Sequence, residues 1–178
     1  MSFNGTMIEC PAPQAAGGNV TLRFLIMDAP TPTTVPAFVK ELQRFKVRHL
    51  VRVCHQTYRT DVIEMADIQA HAWPFDDGSA PPPAVLKQWL ELIDTSISAA
   101  TDGQAPTIAI HCVAGLGRAP MLVCIALIEF CGYAPLDAIM FIRERRRGAI
   151  NQTQLDYVTR YKPRAAAGRG WDVCCAIQ

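Results

Sequence analysis

With 178 residues, half of them apolar, and a net charge of +1, the chain is long enough for one well-buried domain and too short for two. Its four aliphatic or mixed runs at 22–26, 47–53, 107–110 and 121–128 all fall far below the ~20 residues of a membrane span, so no bilayer-crossing helix is expected. MSFNGTMIEC has no basic patch followed by an apolar core, so no secretory signal is expected. The seven cysteines, an odd number, therefore read as reduced thiols, with Cys124 and Cys131 as small buried hydrophobes.

Residues 1–18, with Pro11, Pro13, Gly17 and Gly18, read as a loose lead-in. Asn19–Met27 alternates and then becomes continuously apolar, as a strand does. After the turn APTPTT, Thr34 is placed to cap a helix with Val35, Phe38, Val39, Leu42 and Phe45 on one face. Strands are expected at 49–54 and, more weakly, at 68–75. DDGSAPPP (76–83) is rich in breakers and reads as a loop. Val85, Leu86, Trp89, Leu90, Ile93 and Ile97 mark a long amphipathic helix closed by Asp102-Gly103. The strand TIAIH (107–111) then leads through a short loop to a helix over Ala119–Phe130 that ends at Gly132. Pro135 opens another helix with Leu136, Ile139 and Ile142, and Leu155, Val158 and Tyr161 mark a last one. Strands interleaved with helices predict an α/β domain with a sheet covered on both faces.

The loop HCVAGLGRAP (111–120) carries the chemistry. A strand ending at His111 and a helix starting near Arg118 would aim backbone N–H groups and the helix's positive end at one point, forming an anion cradle. Gly115 and Gly117 are expected to take the positive φ angles of a tight loop. Arg118 is a two-pronged donor suited to phosphate oxygens. A thiol at Cys112 inside that field ionises readily and becomes a nucleophile. A Walker-type phosphate loop is excluded, since no Gly-Lys-Ser/Thr is present. Displacement at phosphorus also needs a proton for the leaving oxygen, and WPFDDG (73–78) offers Asp76 and Asp77 ahead of a Pro/Gly-rich stretch. Paired aspartates in a turn also serve ordinary turn chemistry.

Charge is uneven along the chain. Residues 143–178 hold eight Lys/Arg against three Asp/Glu, whereas residues 1–142 hold nine against thirteen. A basic end suggests an anionic surface as partner, although a solvated helix face would give the same run at Arg143–Arg147.

Taken together, HCVAGLGRAP, WPFDDGSAPPP, LVRVC, FIRERRRGA and the C-terminal CCAIQ resemble the PRL (phosphatase of regenerating liver) group of protein tyrosine phosphatases, over about residue 19 to the end. The resemblance implies a Cys-based, dual-specificity-like phosphatase fold, a central mixed sheet flanked by helices. It spans a phosphatase domain at 19–164 and a tail at 165–178. Cys112 would be the nucleophile, Val113, Ala114, Gly115, Leu116, Gly117 and Arg118 the phosphate-binding loop, and Asp77 the general acid beside Asp76. The resemblance also implies a reversible disulfide between Cys54 and Cys112, though an ordinary buried thiol is the simpler reading of Cys54. No cofactor, metal or nucleic-acid partner is implied.

Ala119 stands where most Cys-based phosphatases place a serine or threonine whose hydroxyl donates to the departing thiolate. Its absence predicts slow turnover with accumulation of phosphocysteine. The terminal Cys175-Ala176-Ile177-Gln178 fits a prenylation motif, with Cys174 or the basic residues as the second membrane signal. The expected location is then the cytoplasm, at the cytoplasmic face of plasma or endosomal membranes. Only Arg169 lies in Ala165–Asp172, fewer bases than such tails usually carry. Members of the group also bind cyclin-M magnesium transporters through the same pocket and form homotrimers. A docking module is therefore the alternative to a phosphatase.

Overall fold

The computed structural model describes residues 3–13 and 20–164. Five strands form one mixed sheet: β1 (Gly5–Ala12), β2 (Val20–Met27), β3 (Val47–Arg52), β4 (Gln69–Ala72) and β5 (Thr107–His111). Their spatial order is β1-β2-β5-β3-β4. β1 runs antiparallel to β2 and every other pairing is parallel. The six helices are α1 (Val35–Arg44), α2 (Asp61–Glu64), α3 (Pro83–Ser98), α4 (Arg118–Cys131), α5 (Pro135–Arg145) and α6 (Gln152–Arg160).

The two-residue period of the strands divides the core. Leu22, Phe24 and Ile26 of β2, with Ile108 and Ile110 of β5, face a cluster built with Trp89 of α3, most of α4, and Ile139 and Ile142 of α5. Leu25, Met27 and Ala109 face the other side, against Phe38 and Leu42 of α1 and Ile63 of α2. β5, apolar up to His111, lies at the centre and is buried throughout. α4 is apolar on all sides and is buried from Arg118 to Glu129, as a helix sandwiched between sheet and helices must be. Trp89 Nε1 donates to Leu122 O at 2.8 Å and fastens α3 to it.

Three expectations need correction. Within the lead-in expected at 1–18, Gly5–Ala12 is a strand: it pairs along its whole length with β2 and buries Ile8, Cys10 and Ala12. Pro11 is compatible because β1 is an edge strand, whose outer N–H groups have no ladder partner to lose. The single turn α2, at residues 61–64, lies where no element was expected. At the start of α1, Thr34 is the N-cap residue, but its hydroxyl accepts from Thr31 N at 2.8 Å instead of capping the helix. Of the two thiols expected as buried hydrophobes, Cys124 is fully buried, and burial pushes its pKa far up. Cys131 is only half-buried, and the neighbouring Cys10 thiol together with burial pushes its pKa up.

Candidate active site

The loop between β5 and α4 closes on itself because its carbonyls are drawn outward, one after another. Cys112 O accepts from His111 Nδ1 (3.0 Å), Val113 O from Ala29 N (2.9 Å) and Ala114 O from Arg146 Nη2 (3.3 Å). Gly115 O accepts from Arg146 Nε (2.7 Å), Leu116 O from Ile150 N (2.7 Å) and Gly117 O from Met121 N (3.1 Å). With every carbonyl from 112 to 117 engaged behind the loop, the N–H groups from Val113 to Arg118 are left to a ligand, and none of them donates to a protein acceptor among the described residues. Buried donors without partners at a helix N-terminus make an anion site.

The cavity in front of these amides is about 290 Å³ and is lined by Asp77, Cys112, Val113, Ala114, Leu116, Gly117, Arg118, Gly148 and Asn151. Cys112 is 3 % exposed at its floor. Arg118 is held in place by two carbonyls, donating through Nη1 to Phe75 O (2.8 Å) and Val53 O (3.2 Å). Its Nε lies 3.3 Å from Asp77 Oδ1 but off the line of a hydrogen bond. Asp77 is otherwise exposed, and its Oδ1 accepts from Gly78 N at 3.0 Å. Asp76 does not line the cavity; its carbonyl ties the turn to Ser79. The structure thus separates the two aspartates that the sequence leaves side by side.

The glycines do different work. Gly115 has φ +64°, and a Cβ there would sit 2.6 Å from Arg146 Nη2 and closer still to Met27 O. Gly117 was also expected at positive φ, but its φ is −115°. What it accommodates is the Gln154 amide, whose nitrogen would be 3.1 Å from a Cβ.

Arg146 was grouped with a basic run offered to an anionic surface. It is instead buried behind the loop, donating also to Thr6 Oγ1 (3.0 Å) and lying 3.5 Å from Asp28. Burial pulls its pKa below the usual arginine value, against the opposing pull of Asp28. Arg143 bonds the carbonyls of Ala149 and Ile150, and Arg145 stacks on Phe141 at 3.6 Å. Within the run Arg146 alone is buried, while Arg143, Arg145 and Arg147 stay exposed.

Two further residues were not expected. Asn151 caps α6, accepting from Gln154 N (2.9 Å) while Gln154 Oε1 accepts from Asn151 N (3.3 Å), and it also lines the cavity. The pair has a legible signature, Asn followed three residues later by Gln before an apolar run.

His111 lies behind Cys112. Its Nδ1–H bonds Cys112 O, so Nε2 accepts from Tyr58 OH at 2.6 Å. Burial pushes its pKa down to about 4, which keeps the ring neutral. Cys54 follows β3, where Arg52 pairs with His111 in register. Its thiol is 4.0 Å from His111 Nδ1, and burial raises its pKa. Val53 N bonds His111 O at 3.0 Å, so Cys54 and Cys112 follow neighbouring strands at one end of the sheet. Cys174 and Cys175, the lipidation candidates, lie outside the described residues. Among the described residues no group of side chains is arranged to hold a metal, and no helix is long and apolar enough to cross a membrane.

Comparison with known proteins agrees with this geometry. The family model for protein-tyrosine phosphatase matches residues 27–162. A protein tyrosine phosphatase PRL-1 of Leishmania major is 50 % identical over 167 residues, 92 % of this chain and 95 % of the relative. The PRL-1 of Trypanosoma cruzi is 47 % identical over 99 % of this chain and 97 % of its own length. Human protein tyrosine phosphatase type IVA 3 is 46 % identical over 80 % of each chain. Among solved structures, a putative protein tyrosine phosphatase from Leishmania major superposes with a TM-score of 0.80 at 50 % identity, covering 89 % of this chain and 99 % of that one. Kinase associated phosphatase, with its catalytic cysteine replaced by serine, shares the fold at 19 % identity with a TM-score of 0.71, over 96 % and 98 % of the two chains.

Proposed function

The chain belongs to the protein tyrosine phosphatases, in their PRL (type IVA) group, and from that premise we propose that it hydrolyses phosphate monoesters slowly, through a phosphocysteine on Cys112. The observation that carries this reading is the outward engagement of all six loop carbonyls around a buried thiol.

The substrate's phosphoryl oxygens take the free amides of Val113–Arg118 and the guanidinium of Arg118. Cys112 Sγ, as thiolate, attacks phosphorus in line; the S–P bond forms as the P–O bond to the leaving group breaks. Asp77 gives its proton to the departing oxygen. In the second step the Asp77 carboxylate takes a proton from water, whose oxygen attacks phosphorus. The S–P bond breaks, releasing inorganic phosphate and the thiolate. Ala119, buried in the first turn of α4, has no hydroxyl to stabilise that leaving thiolate, which makes this step slow.

The test is mass spectrometry of the intact, reduced protein after brief exposure to an aryl phosphate. A persistent gain of one phosphoryl group, absent in Cys112→Ser, is expected. Rapid product release with no adduct would make hydrolysis fast and remove the slow step.

A docking role for the same pocket is favoured by its rim. Val113 is 58 % exposed and Leu116 38 % exposed, an apolar border suited to a protein surface. In this second reading the pocket serves a partner such as a cyclin-M transporter, and phosphocysteine or a Cys54–Cys112 disulfide controls access. Asp77→Ala would then abolish turnover and leave binding intact. Prenylation at Cys175 would carry the protein to the cytoplasmic face of a membrane. A Cys175→Ser variant that still pellets with membranes would overturn the anchor.

A further inference from the structure

Three arginines are buried among the described residues: Arg118, Arg146 and Arg52. A buried charge is stable only when it is paired or fully hydrogen-bonded. Arg118 has Asp77 beside it and faces the phosphate cavity. Arg146 has Asp28 and a set of loop carbonyls. Arg52 is 7 % exposed and forms no ion pair among the described residues; it donates only through Nη1, to Cys54 O at 2.6 Å. Its Nε is buried without a partner, the same condition as Arg118 Nε.

Arg52 also lines a second cavity, of about 270 Å³, on the far side of the β3 end from the cradle. Gln56, Tyr58, Thr60, Glu64 and His71 share its wall with the apolar Leu50, Ala70 and Ala72. Burial lowers the pKa of His71, so this ring is a neutral donor or acceptor, and Glu64 is the one acid in the lining.

We propose that this cavity is a binding site for a carboxylate, held by Arg52, by the Thr60 hydroxyl and by the second N–H of the Gln56 amide, whose first donates to Tyr58 O at 3.0 Å. The unpaired guanidinium calls for an anion, and the planar fork matches a carboxylate. Glu64 on the wall opposes the second charge of a phosphate dianion and so selects a monoanion. The carboxylate is either a free small acid or an acidic side chain of a partner protein. Because Arg52 holds the carbonyl of Cys54, the site adjoins the thiol end of the sheet without sharing any lining residue with the catalytic cavity.

The experiment is an NMR titration of the reduced full chain at constant ionic strength, reading the ring signals of His71 and Tyr58. The probes are sodium acetate and a short capped peptide carrying one glutamate. Saturable shifts with a roughly millimolar Kd are expected for at least one probe, unchanged in Arg118→Met and weakened at least about tenfold in Arg52→Met. Glu64→Gln is expected to tighten binding about threefold. Equal response to both probes assigns a free acid, and a response to the peptide alone assigns a partner's side chain. Absence of saturation with both probes, shifts that survive Arg52→Met, or shifts lost in Arg118→Met would overturn the site. Should Arg52→Met fail to fold, Glu64→Gln decides: unchanged affinity overturns the proposal.

Discussion

The two sides of the loop from Cys112 to Gly117 differ in kind. The front is open: Asp77 stands in solvent, Val113 and Leu116 border the mouth, and the amides have no protein partners. The back is engaged: Arg146, His111 and Gln154 are buried there with the partly exposed Asp28, and elements as distant in sequence as β1 and α6 meet there. The front holds the reacting groups, and the back sets their geometry. Preorganised donors cost nothing to reorient during reaction, and this is possible only because the opposite side of each peptide is already engaged.

The sharpest way to break this comparison is Arg146→Met. Arg146 does not itself line the cavity, yet the substitution leaves Gly115 O and Ala114 O without donors and Asp28 without its cation. We expect a loss of about 3–5 kcal/mol of stability in denaturant unfolding, and a fall in kcat larger than the change in KM. Retention of both stability and kcat would show that the loop holds its shape unaided.

The front was legible in the sequence and the back largely was not. Cys112 and Arg118 belong to one short local pattern whose residue types an anion cradle demands, whereas Asp77 is told from Asp76 only by the family resemblance and by which of the two lines the cavity. Arg146 sits in a run of bases that carries no mark of which one turns inward; only the path of the chain after α5 decides it. Pro11 and Pro13 make residues 1–18 look unstructured, because the rule that proline breaks strands is local while the exemption for an edge strand is topological. The central strands and α4 were readable for the opposite reason: burial on all sides leaves an unbroken apolar run that no surface element shares. Asn151 and Gln154 did carry a signal, a capping box, but nothing in a capping box says what the helix end will face.

A second, somewhat smaller effect belongs to the back alone. His111 has a folded-state pKa of about 4 against an ordinary 6.5, because burial disfavours its charged form. The unfolded chain therefore takes up this proton first, and stability falls as pH drops from 6.5 towards 4, levelling off below. The full loss is roughly 3 kcal/mol. His49 and His71, also held low by burial, act in the same direction. In His111→Asn, whose amide can still donate to Cys112 O, most of this acid sensitivity should vanish from thermal unfolding measured between those two pH values. An unchanged pH profile would place the sensitivity in His49 and His71 instead.

The smallest change sharpens the comparison from the front. Ala119→Ser adds one oxygen at the first turn of α4, next to the phosphate clamp and within the buried surround of the thiol. A hydroxyl donating to the departing sulfur is worth ~1–3 kcal/mol in the step that releases it, or about ten- to a hundredfold in rate. The attack step, in which sulfur gives up charge, gains nothing from that donor. Pre-steady-state kinetics with an aryl phosphate should therefore show a burst in the natural enzyme that shrinks or disappears in the serine variant while steady turnover rises. A burst of unchanged size would mean that the slow step lies elsewhere. The rigid back would then be the place to look, since it also fixes where water can approach the phosphocysteine.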